Sequence, residues 1–115
     1  MAANKLIDAS KFGEEVEIGG TTVVKFGADW CGPCHAYESE VKGLISRFPE
    51  VNFCHVDIDA EANNGSAQSR EMKKTVGRID GIPHISIFRS GKLEETIVGM
   101  QIDSIASAIE RVTKE

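Results

Sequence analysis

The sequence predicts an α/β domain: a central five-stranded mixed sheet flanked by four helices, in the order β-α-β-α-β-α-β-β-α. Three observations carry this. Short β-branched apolar runs alternate with segments whose apolar residues recur at helical spacing, which requires crossovers and hence a parallel part of the sheet. Near the C-terminus two runs flank Ser90-Gly91 at hairpin distance, so the last two strands pair antiparallel. The chain has 115 residues, enough for one domain with a real core and too few for two. A single domain over residues 1–115 is therefore expected.

Residues 5–7 form a short first strand, after which Asp8 or Ser10 caps a helix carrying Phe12 and Val16 on one face. Gly19-Gly20 breaks the chain before a buried strand over 22–26. Val41, Leu44, Ile45 and Phe48 then recur at helical spacing, with Pro49 closing the segment. Residues 51–58 read as an interior strand. Asn63-Asn64-Gly65 makes a turn, and a helix follows over Ala67–Val76. Gly81-Ile82-Pro83 leads into a strand over 84–88, paired through the hairpin with 95–98. Ile102, Ile105, Ala106, Ile109 and Val112 make a last helical stripe.

The chemistry lies in Trp30-Cys31-Gly32-Pro33-Cys34, between the strand over 22–26 and the helix that follows. A thiol at the first turn of a helix sees the positive end of the backbone dipole and unpaired N–H groups, which favour its thiolate. A second cysteine one turn along can close a short disulfide with it. Pro33 suits the first turn, where its missing N–H would have no partner. Such a pair is built to exchange a disulfide.

Composition narrows the classes. A net charge of −5, without a Lys/Arg cluster interleaved with aromatics, argues against a nucleic-acid binder. The basic group Arg70, Lys73 and Lys74 reads as a solvated helix face. No segment reaches membrane-spanning length, and residues 1–5 lack the apolar run of a signal peptide. Three cysteines are too few, and odd, for a secreted disulfide scaffold, so a cytoplasmic location is expected. Asn64-Gly65-Ser66 has the form of a glycosylation sequon and is read as a turn.

Val23-Val24-Lys25-Phe26-Gly27-Ala28-Asp29-Trp30-Cys31-Gly32-Pro33-Cys34, then Val56-Asp57-Ile58-Asp59, Gly81-Ile82-Pro83, Phe88 to Lys92 and Val98-Gly99 strongly resemble the thioredoxin family, in order and over nearly the whole chain. The resemblance implies a thioredoxin fold and a thiol–disulfide oxidoreductase that needs no cofactor or metal. Cys31 would be the exposed attacking thiolate and Cys34 the buried resolving thiol. The Ile82–Pro83 bond would be cis and face the dithiol, with Trp30, Gly32, Pro33, Ile82, Pro83, Gly99 and Met100 forming the substrate surface. Protein disulfides would be the substrates and a dithiol reductase such as thioredoxin reductase the recycling partner, with the protein a monomer. The Gly-Pro dipeptide resembles the reducing members of the family.

Several positions depart from that pattern. Where the family places a buried Asp under the second cysteine, this chain has Lys25, and a frequent Lys on the neighbouring strand is His55. Neutral His55 would then accept the Cys34 proton while Lys25 tunes the thiolate; the plainer reading has Lys25 snorkelling outward and His55 as a core or edge residue. His84 replaces Thr after the cis proline and would tune the dithiol or line the substrate groove. Cationic Lys25 and His84 would make the dithiol more oxidising than the ~−270 mV of thioredoxin. The segment between Asp59 and Ile79 is longer than the family norm, and reads as a surface loop or a partner surface. Cys54 on an interior strand reads as inert, and His35 as pointing outward.

Three rival readings use the same residues. Cys31 to His35 has the C-x-x-C-H form of haem attachment. Cys31 and Cys34 with two of His35, His55 and His84 would make a zinc site, though without the paired spacing such modules show. A thioredoxin-like interaction module or redox-regulated adaptor, with weak or no turnover, is the third.

Overall fold

The computed structural model describes residues 4–114. Its strands are β1 (Asn4–Leu6), β2 (Thr21–Gly27), β3 (Asn52–Asp57), β4 (His84–Arg89) and β5 (Lys92–Val98). Its helices are α1 (Ala9–Val16), α2 (Gly32–Arg47), α3 (Ala67–Val76) and α4 (Ile102–Thr113), with a single 3-10 turn at Glu61–Asn63. The strands form one sheet in the order β1-β3-β2-β4-β5. β3 runs parallel to both β1 and β2, while β4 is antiparallel to β2 and β5. The expected five-stranded mixed sheet with four helices is what forms.

β2 is the centre of the molecule, and all seven of its residues are buried. Alternation along it divides the core in two. Val23 joins Tyr37, Val41 and Leu44 of α2 and Ile105, Ile109 and Val112 of α4 on one side of the sheet. Val24 and Phe26 join Phe12 of α1 and Met72 and Val76 of α3 on the other. There Phe12 packs edge-on against Phe88 and tilted against Phe26, with ring centroids 5.7 and 6.2 Å apart. Each large aromatic or aliphatic side chain buried this way contributes about 1.5–3 kcal/mol.

Local chemistry starts and stops the helices. Asp8 caps α1 by accepting from the Ser10 backbone N–H at 2.9 Å. Ser66 and Ser69 exchange reciprocal hydrogen bonds at the start of α3, a capping box with serine in both places. Every strand differs from expectation at one end or both, and two of the strands are instructive. β1 is Asn4–Leu6 rather than 5–7, although the Ile7 N–H still bonds the His55 carbonyl at 2.9 Å. β5 begins at Lys92, well before the expected 95. Ser90 and Gly91 both have positive φ and make a two-residue turn, so Arg89 pairs with Lys92 at once. Lys92 and Glu94 on this edge strand hid that pairing from a reading of apolar pattern.

The long segment after β3 is tied down rather than loose. Asn63 is buried, accepts from the Ala9 N–H at 2.7 Å and donates to the Asp57 carbonyl at 2.7 Å. It joins the start of α1 to the end of β3. Asn64 donates to the Ile58 and Ala60 carbonyls, and Gly65 takes φ 81°, so Asn63-Asn64-Gly65 forms the turn expected of it. Among the described residues no helix is long and apolar enough to cross a membrane.

Candidate functional site

β2 ends at Gly27, and the chain turns through Ala28, Asp29 and Trp30 to enter α2. Cys31 is the N-cap of that helix, with extended backbone, and its sulfur accepts from the Cys34 N–H at 3.2 Å. Cys31 and Cys34 form a disulfide, with Cα atoms 5.2 Å apart. Pro33 stands in the first turn and no acidic side chain does, so the positive end of the helix faces the sulfurs unopposed. The geometry expected from the motif is present. The exposure is not: Cys31 is 5% accessible and Cys34 2%, so in the disulfide state both are buried. Ala28 completes their apolar nest, and Ile58 and Ile82 pack against it. A capping sulfur turned toward the helix has little surface left for solvent.

The Ile82–Pro83 peptide bond is cis. Gly99 donates its N–H to the Pro83 carbonyl at 2.8 Å, with φ at 105°, a backbone shape that suits glycine. Trp30 is 71% exposed, and its indole Nε1 donates to Asp59 Oδ2 at 2.6 Å, which fixes a large apolar surface beside the dithiol. Met100 is half-buried and packs on the α2–α4 core. Val98, part of the Val98-Gly99 motif but not of the expected substrate surface, is exposed at the end of β5. It is close to Gly81: a Cβ there would come within 3.1 Å of Val98.

Beneath Cys34 the arrangement is new. Lys25 does not snorkel outward. It is 6% accessible, and its ammonium is 2.5 Å from Glu38 Oε2 and 5.8 Å from the Tyr37 ring centroid. Asn4 donates to the other Glu38 oxygen at 2.7 Å. His55, opposite Lys25 in the parallel ladder, brings Nδ1 to 3.7 Å from Glu38. Burial lowers the His55 pKa; Glu38 opposes that shift and Lys25 adds to it, so the ring is neutral at neutral pH. Glu38 thus gathers both predicted tuning residues, and sequence reasoning missed it. The signal was present: Glu38 lies four residues beyond Cys34, one turn along the same helix face.

A cleft of about 650 Å³ opens onto this group and reaches Cys34, with Lys25, Gly27, Glu38 and His55 in its walls. Ala60, Ala62 and Asn63 of the long segment form another wall. His35 also borders it, exposed, with its Nε2 2.6 Å from the Asp29 carbonyl.

His84 does not join them. It shares the sheet face of Phe26, meeting that ring edge-on with centroids 5.8 Å apart, whereas Lys25 and His55 face α2. Burial lowers its pKa, against a smaller opposing effect of Asp80, and neither ring nitrogen has a hydrogen-bond partner among the described residues. The expectation of a cationic His84 beside the dithiol is therefore corrected: the ring is neutral and packed. Of the two cations that argued for a more oxidising dithiol, His84 drops out and Lys25 remains, paired with Glu38. Cys54 is buried, and burial first, then Glu15, pushes its thiol up to about 12. Such a thiol is inert at neutral pH. Among the described residues no group of three or more His, Cys, Asp or Glu side chains converges as a metal site.

The thioredoxin family model matches residues 4–111. The chain belongs to the thioredoxin family. It is similar to an H-type thioredoxin of Fagopyrum esculentum, 30% identical over 101 residues that cover 86% of this chain and 78% of the relative. Thioredoxin-1 of Saccharomyces cerevisiae is 28% identical over 101 residues, covering 88% and 89%. The crystal structure of thioredoxin from Trypanosoma brucei brucei superposes with a TM-score of 0.80 over 98% of this chain and 93% of that one, at 24% identity. As a thioredoxin-family protein with its cysteine pair at disulfide distance, it is a thiol–disulfide oxidoreductase.

Proposed function

We propose that this protein reduces disulfides of other proteins, as a monomer in a reducing compartment such as the cytoplasm, and is recycled by a dithiol reductase. The observation that carries the reading is Cys31 as N-cap of α2, bonded to Cys34, with Ile82 and its cis bond to Pro83 against the pair. Cys31 thiolate attacks a substrate sulfur and forms a mixed disulfide. Cys34 thiolate then attacks Cys31 Sγ, closes the Cys31–Cys34 bond and releases the substrate thiolate, which takes a proton from solvent. Trp30, Gly32, Pro33, Ile82, Pro83, Gly99 and Met100 form the surface on which an extended substrate segment rests, and Val98 extends it.

The alternative is an adaptor without turnover, motivated by Lys25 in place of the family's carboxylate. Insulin reduction driven by a dithiol donor separates the two. Wild type is expected to precipitate insulin B chain well above the donor-only rate, and Cys31→Ser to fall to that background. Wild type at background would establish the adaptor reading.

A further inference from the structure

Glu38 has no role in the exchange chemistry described above, yet it organises the floor of the dithiol. Gly27 supplies the decisive geometry. A Cβ on Gly27 would stand 2.8 Å from Cys34 Sγ and 3.2 Å from Lys25 Nζ, so the ammonium and the sulfur both border the space a methyl group would fill. A buried ammonium is costly and tends to shed its proton unless an anion holds it. Here Glu38 holds it at 2.5 Å, and Glu38 is itself fixed by Asn4 and flanked by His55. We propose that Glu38 is a positioning residue: it docks the Lys25 ammonium beneath Cys34, and that cation stabilises the Cys34 thiolate in the resolving step.

The charge at this strand position is thereby opposite in sign to the family's carboxylate. The step itself balances without any further reactant. Cys34 S–H gives its proton to water in the cleft, and the thiolate, held by Lys25, attacks Cys31 Sγ. The Cys34–Cys31 bond forms as the Cys31–substrate bond breaks, and the electron pair leaves on the substrate sulfur, which is reduced as the dithiol is oxidised. Other charged or titratable groups share the cleft with Cys34: Asp8 before α1, Asp29 after β2, His35 on α2, and His55 and Asp57 on β3. Among them His55 is neutral at neutral pH. Lys25 is the charge whose ammonium, with the Cys34 sulfur, is among the nearest atoms to the Gly27 Cβ position, and Coulomb energy falls with distance.

This inference rests on the reductase reading, and one experiment separates their failures. Reduced protein is mixed with 5,5′-dithiobis(2-nitrobenzoate), and the two releases of aryl thiolate are followed by stopped flow across pH 5–10. The first release reports Cys31 attack and the second reports resolution by Cys34. In Lys25→Met a lone Glu38 carboxylate faces the sulfur, so the apparent pKa of the second phase is expected to rise by about one unit, about ten-fold slower at neutral pH. Lys25→Arg should stay near wild type. Adding Glu38→Gln to Lys25→Met should move the profile back toward wild type, a rescue that loss of packing would not produce.

A Lys25→Met profile that superimposes on wild type overturns the proposal, as does a double variant shifted as far as Lys25→Met alone. In either case a normal first phase leaves the reductase reading intact. A wild-type protein with no first phase overturns both.

Discussion

Gly27 is the residue on which the site closes. It is the last residue of β2, and hydrogen there in place of a methyl lets Cys34 Sγ and Lys25 converge on the space a Cβ would fill. Glycine is needed here for close approach, not for backbone freedom. Gly27→Ala is therefore expected to displace the Cys34 sulfur or the Lys25 stem, and overpacking of this kind costs about 1–3 kcal/mol. Urea unfolding of the oxidised protein should show that loss, and the second phase of aryl thiolate release should slow while the first holds. Unchanged stability together with unchanged resolution would mean that Gly27 has room to spare. At the same scale Trp30 shows how one hydrogen bond assigns a role: its indole N–H on Asp59 leaves an apolar ring outside without leaving it loose.

Among the elements, the segment between β3 and α3 has the most to say about how extra length is absorbed. It ends in a helix with its own serine cap and begins with a 3-10 turn whose last residue, Asn63, bridges α1 and β3. Removing that amide leaves the Ala9 N–H without its partner and the Asp57 carbonyl with only the Ala60 N–H, at 3.2 Å; a group left unsatisfied costs about 1–3 kcal/mol. Asn63→Ala is expected to lower the urea midpoint clearly, whereas Asn64→Ala, whose bonds are exposed, should lower it less. Equal losses in the two variants would deny Asn63 its bridging role. Because Asn63 also walls the cleft, the same variant reports whether the long segment matters to Cys34 or only to the fold.

For the whole molecule, the buried His84 and half-buried His55 couple stability to pH. His84 and His55 both have pKa values lowered in the folded state, burial being the larger cause in each. The unfolded chain therefore binds these protons more readily, so stability rises with pH in this range. Their contribution is present above the ordinary value of 6.5 and is lost as pH falls through it. Glu15, lowered chiefly by its hydrogen bond from Lys5, extends the loss below its ordinary 4.5. The urea midpoint is expected to fall between about pH 7.5 and pH 5.5, and His84→Leu should flatten that fall. A midpoint level across this interval in wild type would contradict it. Much of this architecture was legible in advance. The period of apolar residues placed α1, α2, α4 and the inner strands, because burial on a helix face or a strand leaves a repeat in the chain itself, and turn residues placed α3 and the β4–β5 hairpin. The dithiol was legible because Trp30 to Cys34 are contiguous. Glu38, the orientation of Lys25 and the isolation of His84 were not, since each depends on residues far apart in sequence. Whether a buried lysine finds a carboxylate, and which sheet face a histidine shares, is decided by strand register and helix packing. So the chain order alone determined the fold and the reacting pair, while the charge beneath Cys34 was decided only when α2 laid Glu38 over Lys25.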